Sequence, residues 1–114
     1  MKQVSISLIF GATVMSLASL LPAHAAVNAA AAEELVERND CYNCHALAKT
    51  KKGPSFKKIA AKYKGKPDGQ DKAIKNMTAG LKVKLADGTE ETHKVIDTKD
   101  PKELKNLADW ILSR

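Results

Sequence analysis

The chain has 114 residues, 44% of them hydrophobic and 28% charged, with a formal net charge of +6. That length allows one small domain, and an aromatic content of only 4% leaves few rings to fill its core. The balance is basic, but the lack of interleaved aromatics argues against a nucleic-acid binder.

Lys2 gives the N-terminus a minimal positive start, and residues 4–21 form an apolar run without charge. Pro22-Ala23-His24-Ala25 then places small residues at the two positions a signal peptidase reads, so cleavage is expected before Ala26. The competing reading is an uncleaved anchor, since the run is just long enough to span a bilayer. The Ala-His-Ala site favours a signal peptide over residues 1–25 and a domain over 26–114, exported to the periplasm and without a membrane span after cleavage. Taking 25 of the 114 residues away leaves 89, and because Lys2 is the only charge removed the remainder carries +5. A domain of that size usually needs a staple to supplement its core.

A first helix is expected from about Ala29 to Asn39, leading into Cys41-Tyr42-Asn43-Cys44-His45. Two cysteines three apart with a histidine directly after the second form the signature of covalent c-type haem attachment. On a helical turn, positions i and i+3 share a side, so both thiols reach the vinyl groups along one haem edge while the histidine meets the iron. Three other uses of such cysteines compete. A thioredoxin-like pair expects a strand before it and a helix after it. A zinc site needs a fourth ligand beyond Cys41, Cys44 and His45. A disulfide across so short a loop stabilises little. Haem attachment takes both cysteines, and the macrocycle supplies the staple and the missing apolar volume.

Lys49, Lys51, Lys52, Lys57, Lys58, Lys62, Lys64 and Lys66 crowd the stretch after the motif. For any one of them a solvated surface is the simpler reading. As a group they suit the rim of an exposed haem edge and would steer an acidic partner. Gly53-Pro54 breaks the chain, and Ser55 can cap a second helix to about Lys64 with Phe56, Ile59, Ala60 and Tyr63 on one face. Residues 65–69 read as a loop, and Gln70 to about Thr78 as a third helix carrying Ala73, Ile74 and Met77. Between Leu81 and Lys99, Asp87-Gly88 is a turn signal that permits a small hairpin, with an irregular loop preferred. The last helix has Asp100 as N-cap, Pro101 in first position and Glu103 to complete a capping box, with Leu104, Leu107, Ala108 and Ile111 at helical spacing. The fold class is therefore all-α, with about four helices and one haem.

His24, Met1 and Met15 leave with the leader, so the candidates for the second axial position are His93 and Met77. From Glu34 to Arg114 the chain resembles the small bacterial class I cytochromes c, through the haem motif, Lys52-Gly53-Pro54, Lys62-Tyr63, Ile74-Lys75-Asn76 and the closing Leu107-Ala108-Asp109-Trp110-Ile111-Leu112. The resemblance implies helices wrapped around the haem, a Pro54 carbonyl that orients His45, and Trp110 among the residues that line the cofactor. It also implies a methionine in the loop before the last helix. That loop here reads Thr89-Glu90-Glu91-Thr92-His93-Lys94-Val95, with His93 where the family's methionine belongs.

The expected axial pair is accordingly His45 and His93. Met77, whose spacing with Ile74 and Ala73 suits core packing, is the alternative, alongside a site open to water or lysine. Imidazole in place of a thioether favours ferric iron and lowers the potential. The expected function is a monomeric one-electron carrier with no catalytic group set. The alternative is a ligand-binding or sensing haem protein in which His93 detaches.

Overall fold

The computed structural model describes residues 26–114, so the expected leader lies outside the described residues. Helix α1 spans Ala29–Arg38 and is capped by Asn28, whose side-chain oxygen accepts from the Ala31 N–H at 3.1 Å. Asn28 also fastens this end to the last helix: its N–H donates to Asn106 Oδ1 (2.8 Å), and Asn106 Nδ2 donates back to its carbonyl (2.9 Å). Ala32, Leu35 and Val36 form the buried stripe of α1.

The helix does not run into the cysteine motif. Asp40 adopts a left-handed conformation (φ 55°), the only non-glycine positive φ among the described residues, and Cys41–Asn43 form a separate 3₁₀ turn. The shared side expected for Cys41 and Cys44 survives this change, because i and i+3 eclipse in a 3₁₀ turn.

Helix α2 (Phe56–Tyr63) begins at Ser55, whose Oγ accepts from the Lys58 N–H at 3.1 Å. Helix α3 (Gly69–Thr78) starts one residue earlier than expected. An added Cβ on Gly69 would stand 2.2 Å from the Tyr63 carbonyl oxygen, so only glycine permits this tight corner between α2 and α3.

The segment before the last helix corrects the preference for an irregular loop. Strands β1 (Lys82–Lys84) and β2 (Glu90–Thr92) pair antiparallel, with Lys82 opposite Thr92 and Lys84 opposite Glu90. The hairpin had little alternation to announce it, because only Val83 of its six strand residues is even half-buried. Its turn chemistry decides the matter. Asp87 Oδ1 accepts from the Thr89 N–H and hydroxyl (2.9 and 2.6 Å), Gly88 takes φ 88°, and the Leu85 N–H reaches the Thr89 carbonyl at 2.7 Å.

Helix α4 (Pro101–Leu112) has Asp100 as N-cap, accepting from the Lys102 N–H at 2.9 Å. The expected capping box is not closed directly. Glu103 accepts from the Thr98 hydroxyl, and Thr98 Oγ1 accepts from the Asp100 N–H (3.2 Å), so threonine relays the contact. Helix α4 packs against α1, α2 and α3 and is the strut of the fold. Trp110, Leu107 and Val36 are the largest fully buried side chains of a core shared with Leu35, Phe56, Ile96, Leu104 and Ile111. Met77 is half-buried against that core, as its spacing suggested.

Candidate functional site

The chain after the motif curls back on itself. Backbone bonds run from Gly53 N–H to the Cys44 carbonyl (2.8 Å), from Phe56 to Ala46 (2.9 Å) and from Lys57 to Leu47 (3.0 Å). Lys51 adds a side-chain bond to the Tyr42 carbonyl at 2.5 Å. This curl brings the Pro54 carbonyl to 2.6 Å from His45 Nδ1. A carbonyl only accepts, so Nδ1 carries the proton and Nε2 keeps its lone pair for a metal.

Two residues that sequence reasoning read as a breaker and a core position also shape this ring's environment. An added Cβ at Gly53 would come to 3.0 Å from His45 Cε1 and 3.3 Å from Nδ1, so the glycine leaves room for the imidazole. Phe56 stacks on the His45 ring at 5.4 Å and 28°, and meets Trp110 edge-on at 5.6 Å. Burial pushes the His45 pKa down; the Pro54 carbonyl opposes this, and the nearby His93 adds to it. The imidazole is therefore neutral at neutral pH, the form that ligates metals.

His93 follows directly on β2. Its N–H donates to the Leu81 carbonyl at 2.8 Å, extending the hairpin by one rung, and its Nδ1 lies 2.9 Å from the Lys94 carbonyl. A carbonyl only accepts, so this Nδ1 is the donor of the contact. The two imidazole rings stand 6.1 Å apart between centroids, tilted by 42°. Two imidazoles on opposite sides of one metal, with bonds of about 2.0 Å and roughly 1.1 Å from ring nitrogen to centroid, would stand about 6 Å apart.

Cys41 and Cys44 are both half-buried and free, with no disulfide between them, and burial pushes the Cys41 thiol pKa up. Leu47 and Val95, each two residues from one of the histidines, and Leu81, which accepts the His93 N–H, expose apolar surface. The indole N–H of Trp110 is the one buried side-chain polar atom among the described residues without a partner. Buried donors are almost always satisfied, so this one fits a bound group that carries an acceptor. Paired thiols, two neighbouring imidazoles, apolar walls and an unanswered donor together suit a covalently held metalloporphyrin.

The arrangement is that of a small class I c-type cytochrome. The sequence model of the Cytochrome c family matches residues 29–114, and the chain belongs to that family. It is 31% identical over 81 residues to cytochrome c-551 of Pseudomonas denitrificans, covering 71% of this chain and 94% of the relative. With cytochrome c-552 of Hydrogenobacter thermophilus it shares 32% over 81 residues, covering 71% and 79%. Among solved structures it is similar to the class 1 cytochrome MtoD from Sideroxydans lithotrophicus ES-1, at 50% identity and TM-score 0.73, covering 77% of this chain and 97% of that one. Wild-type cytochrome c552 of Nitrosomonas europaea matches at 28% identity and TM-score 0.55, covering 71% and 96%. Membership brings one covalently attached haem c and the role of monohaem electron carrier. No helix among the described residues is long and apolar enough to cross a membrane.

Proposed function

We propose that this chain is an exported one-electron carrier whose haem is tethered through Cys41 and Cys44 and whose iron lies between His45 and His93. The observation that carries the reading is the ring pair: 6.1 Å between centroids, with both Nδ1 atoms facing backbone carbonyls. When bound, haem c supplies an iron couple that gains and loses one electron. The chain's part is to hold the two imidazoles in place, so that little rearranges as charge changes. Pro54 draws on the Nδ1 proton of His45, which makes that ring a stronger donor. Phe56 and Trp110 supply a dry wall. Imidazole on both sides favours the ferric state, so the potential falls below that of a histidine–methionine carrier.

The eight lysines from Lys49 to Lys66 are all exposed. A groove of about 590 Å³ beside His45 is lined by Tyr42, Ala46, Leu47 and Ala48 together with Lys49 and Lys51. This basic, partly apolar face suits a redox partner with an acidic docking surface. Export rests on residues 1–25, and N-terminal sequencing of the secreted form should begin at Ala26.

Ligation is tested with optical and magnetic spectra of the holoprotein beside His93→Ala and Met77→Ala. Loss of the low-spin signal is expected only in the His93 variant. A change confined to the Met77 variant would overturn the assignment. The sensing alternative, with a detachable His93, draws on the exposure of the neighbouring Val95 (53%) and predicts carbon monoxide uptake by the reduced wild type at the speed of an open site.

A further inference from the structure

The loop that carries His93 is fastened at both ends, and the two fastenings differ. On the N-terminal side one backbone bond joins His93 to the exposed Leu81. On the C-terminal side stands a polar network. Asp97 accepts from Arg38 Nε at 2.9 Å and Nη2 at 3.3 Å, and from Asn39 Nδ2 at 3.0 Å, while its own N–H donates to Asn39 Oδ1 at 3.0 Å. Asn39 is only 3% exposed, and its second amide hydrogen goes to the Leu35 carbonyl at 2.9 Å. Every polar group of the buried amide is therefore satisfied, which makes it a costly network to break.

Ile96, next to Asp97, is buried and donates its N–H to the Met77 carbonyl at 2.9 Å. Lys94 lies 3.4 Å from the Asp40 carboxylate. Residues 38–40 stand directly before Cys41. The same short piece of chain thus fixes the attachment turn and grips the loop that bears His93.

We infer that Asp97, clasped by Arg38 and Asn39, is a positioning residue that holds His93 at its working distance. The inference rests on the reading of His93 as the second axial ligand. Without the clasp, exposed Lys94 and Val95 are held only by the Ile96 backbone bond and the Lys94–Asp40 pair, a weaker hold on the loop. With it, the chain four residues beyond His93 is pinned to the buried amide, which narrows the range over which the imidazole can move.

The experiment uses haem-loaded protein and carbon monoxide. At saturating gas, uptake by the ferrous form proceeds at the rate at which the sixth ligand leaves. Asp97→Ala should raise that limiting rate about tenfold, the factor that one charge-assisted hydrogen bond carries. Arg38→Ala, a surface change that leaves the amide pair intact, should raise it about threefold and guards against a poorly folding Asp97 variant. Exchange of the Asp97 and His93 amide protons should accelerate in the same order. His93→Ala is the control and should bind carbon monoxide with no such limit. If that control opens the site while Asp97→Ala and Arg38→Ala keep the wild-type rate, even with a lowered melting temperature, the clasp is structural only and the inference fails. If His93→Ala leaves uptake unchanged, His93 is not the ligand, and both the inference and the reading beneath it fall.

Discussion

Replacing Gly53 with alanine puts a methyl group against the imidazole that Pro54 orients. The new carbon would lie 3.0 Å from His45 Cε1, 3.3 Å from Nδ1 and 3.4 Å from the Cys44 carbonyl oxygen. Ordinary van der Waals contact begins near 3.4 Å, so the ring must retreat by about 0.4 Å at its closest atom. It is already stacked on Phe56 and held at 2.6 Å by the Pro54 carbonyl, so relief comes by lengthening the Nδ1 hydrogen bond. Losing most of that bond is worth about 1 kcal/mol. For a one-electron couple, about 1.4 kcal/mol corresponds to 59 mV, and only the part of the bond that is stronger in the ferric state counts, so a ring that donates less strongly should raise the potential by up to about 40 mV. Spectroelectrochemical titration of wild type and Gly53→Ala reads this directly, with the melting temperature recorded beside it. A potential within 10 mV of wild type would refute the claim that Gly53 sets the His45–Pro54 contact.

Three further outcomes follow from other parts of the structure. Gly69→Ala places a Cβ 2.2 Å from the Tyr63 carbonyl oxygen, a backbone collision, and should cost about 3 kcal/mol and lower the melting temperature of the holoprotein by more than 10 °C. Arg38, and then Asn39, hold the Asp97 carboxyl below its usual pKa, so its contribution is intact above the unfolded-state value near 3.9 and is lost as pH falls through the lower folded value. Asp97→Asn should therefore be less stable than wild type at neutral pH, with the gap narrowing below about pH 4 in stability curves measured from pH 7 to 2. Electron exchange with an acidic partner should slow as ionic strength rises from about 10 to 150 mM, and Lys49→Glu with Lys51→Glu should flatten that dependence.

Sequence legibility followed the strength of local chemistry. Helix α4 was readable because Asp100, Pro101 and the Leu104–Leu107–Ile111 stripe all agree. Ser55 marked the start of α2 for the same reason. The hairpin was harder to read, since its strands are mostly exposed and its order comes from the Asp87 turn and from the Ala86 N–H bond to the Lys52 carbonyl at 2.9 Å. Gly69 closed a corner that no periodicity encodes. Cysteine spacing announced the attachment motif, while a count of histidines and methionines left His93, Met77 or a site open to water or lysine as the readings of the second axial position. The roles of Gly53 and Phe56 against His45, and the bond between Asn39 and Asp97 across 58 positions, depend on long-range approach and leave no local mark.

The central claim is that one metal ion sits between the imidazoles of His45 and His93. Pulsed electron paramagnetic resonance on ferric holoprotein, with nitrogen-15 introduced only at histidine, counts the imidazoles bound to iron. Two strongly coupled histidine nitrogens are expected in the wild type and one in His93→Ala. A single coupled histidine in the wild type would contradict the account.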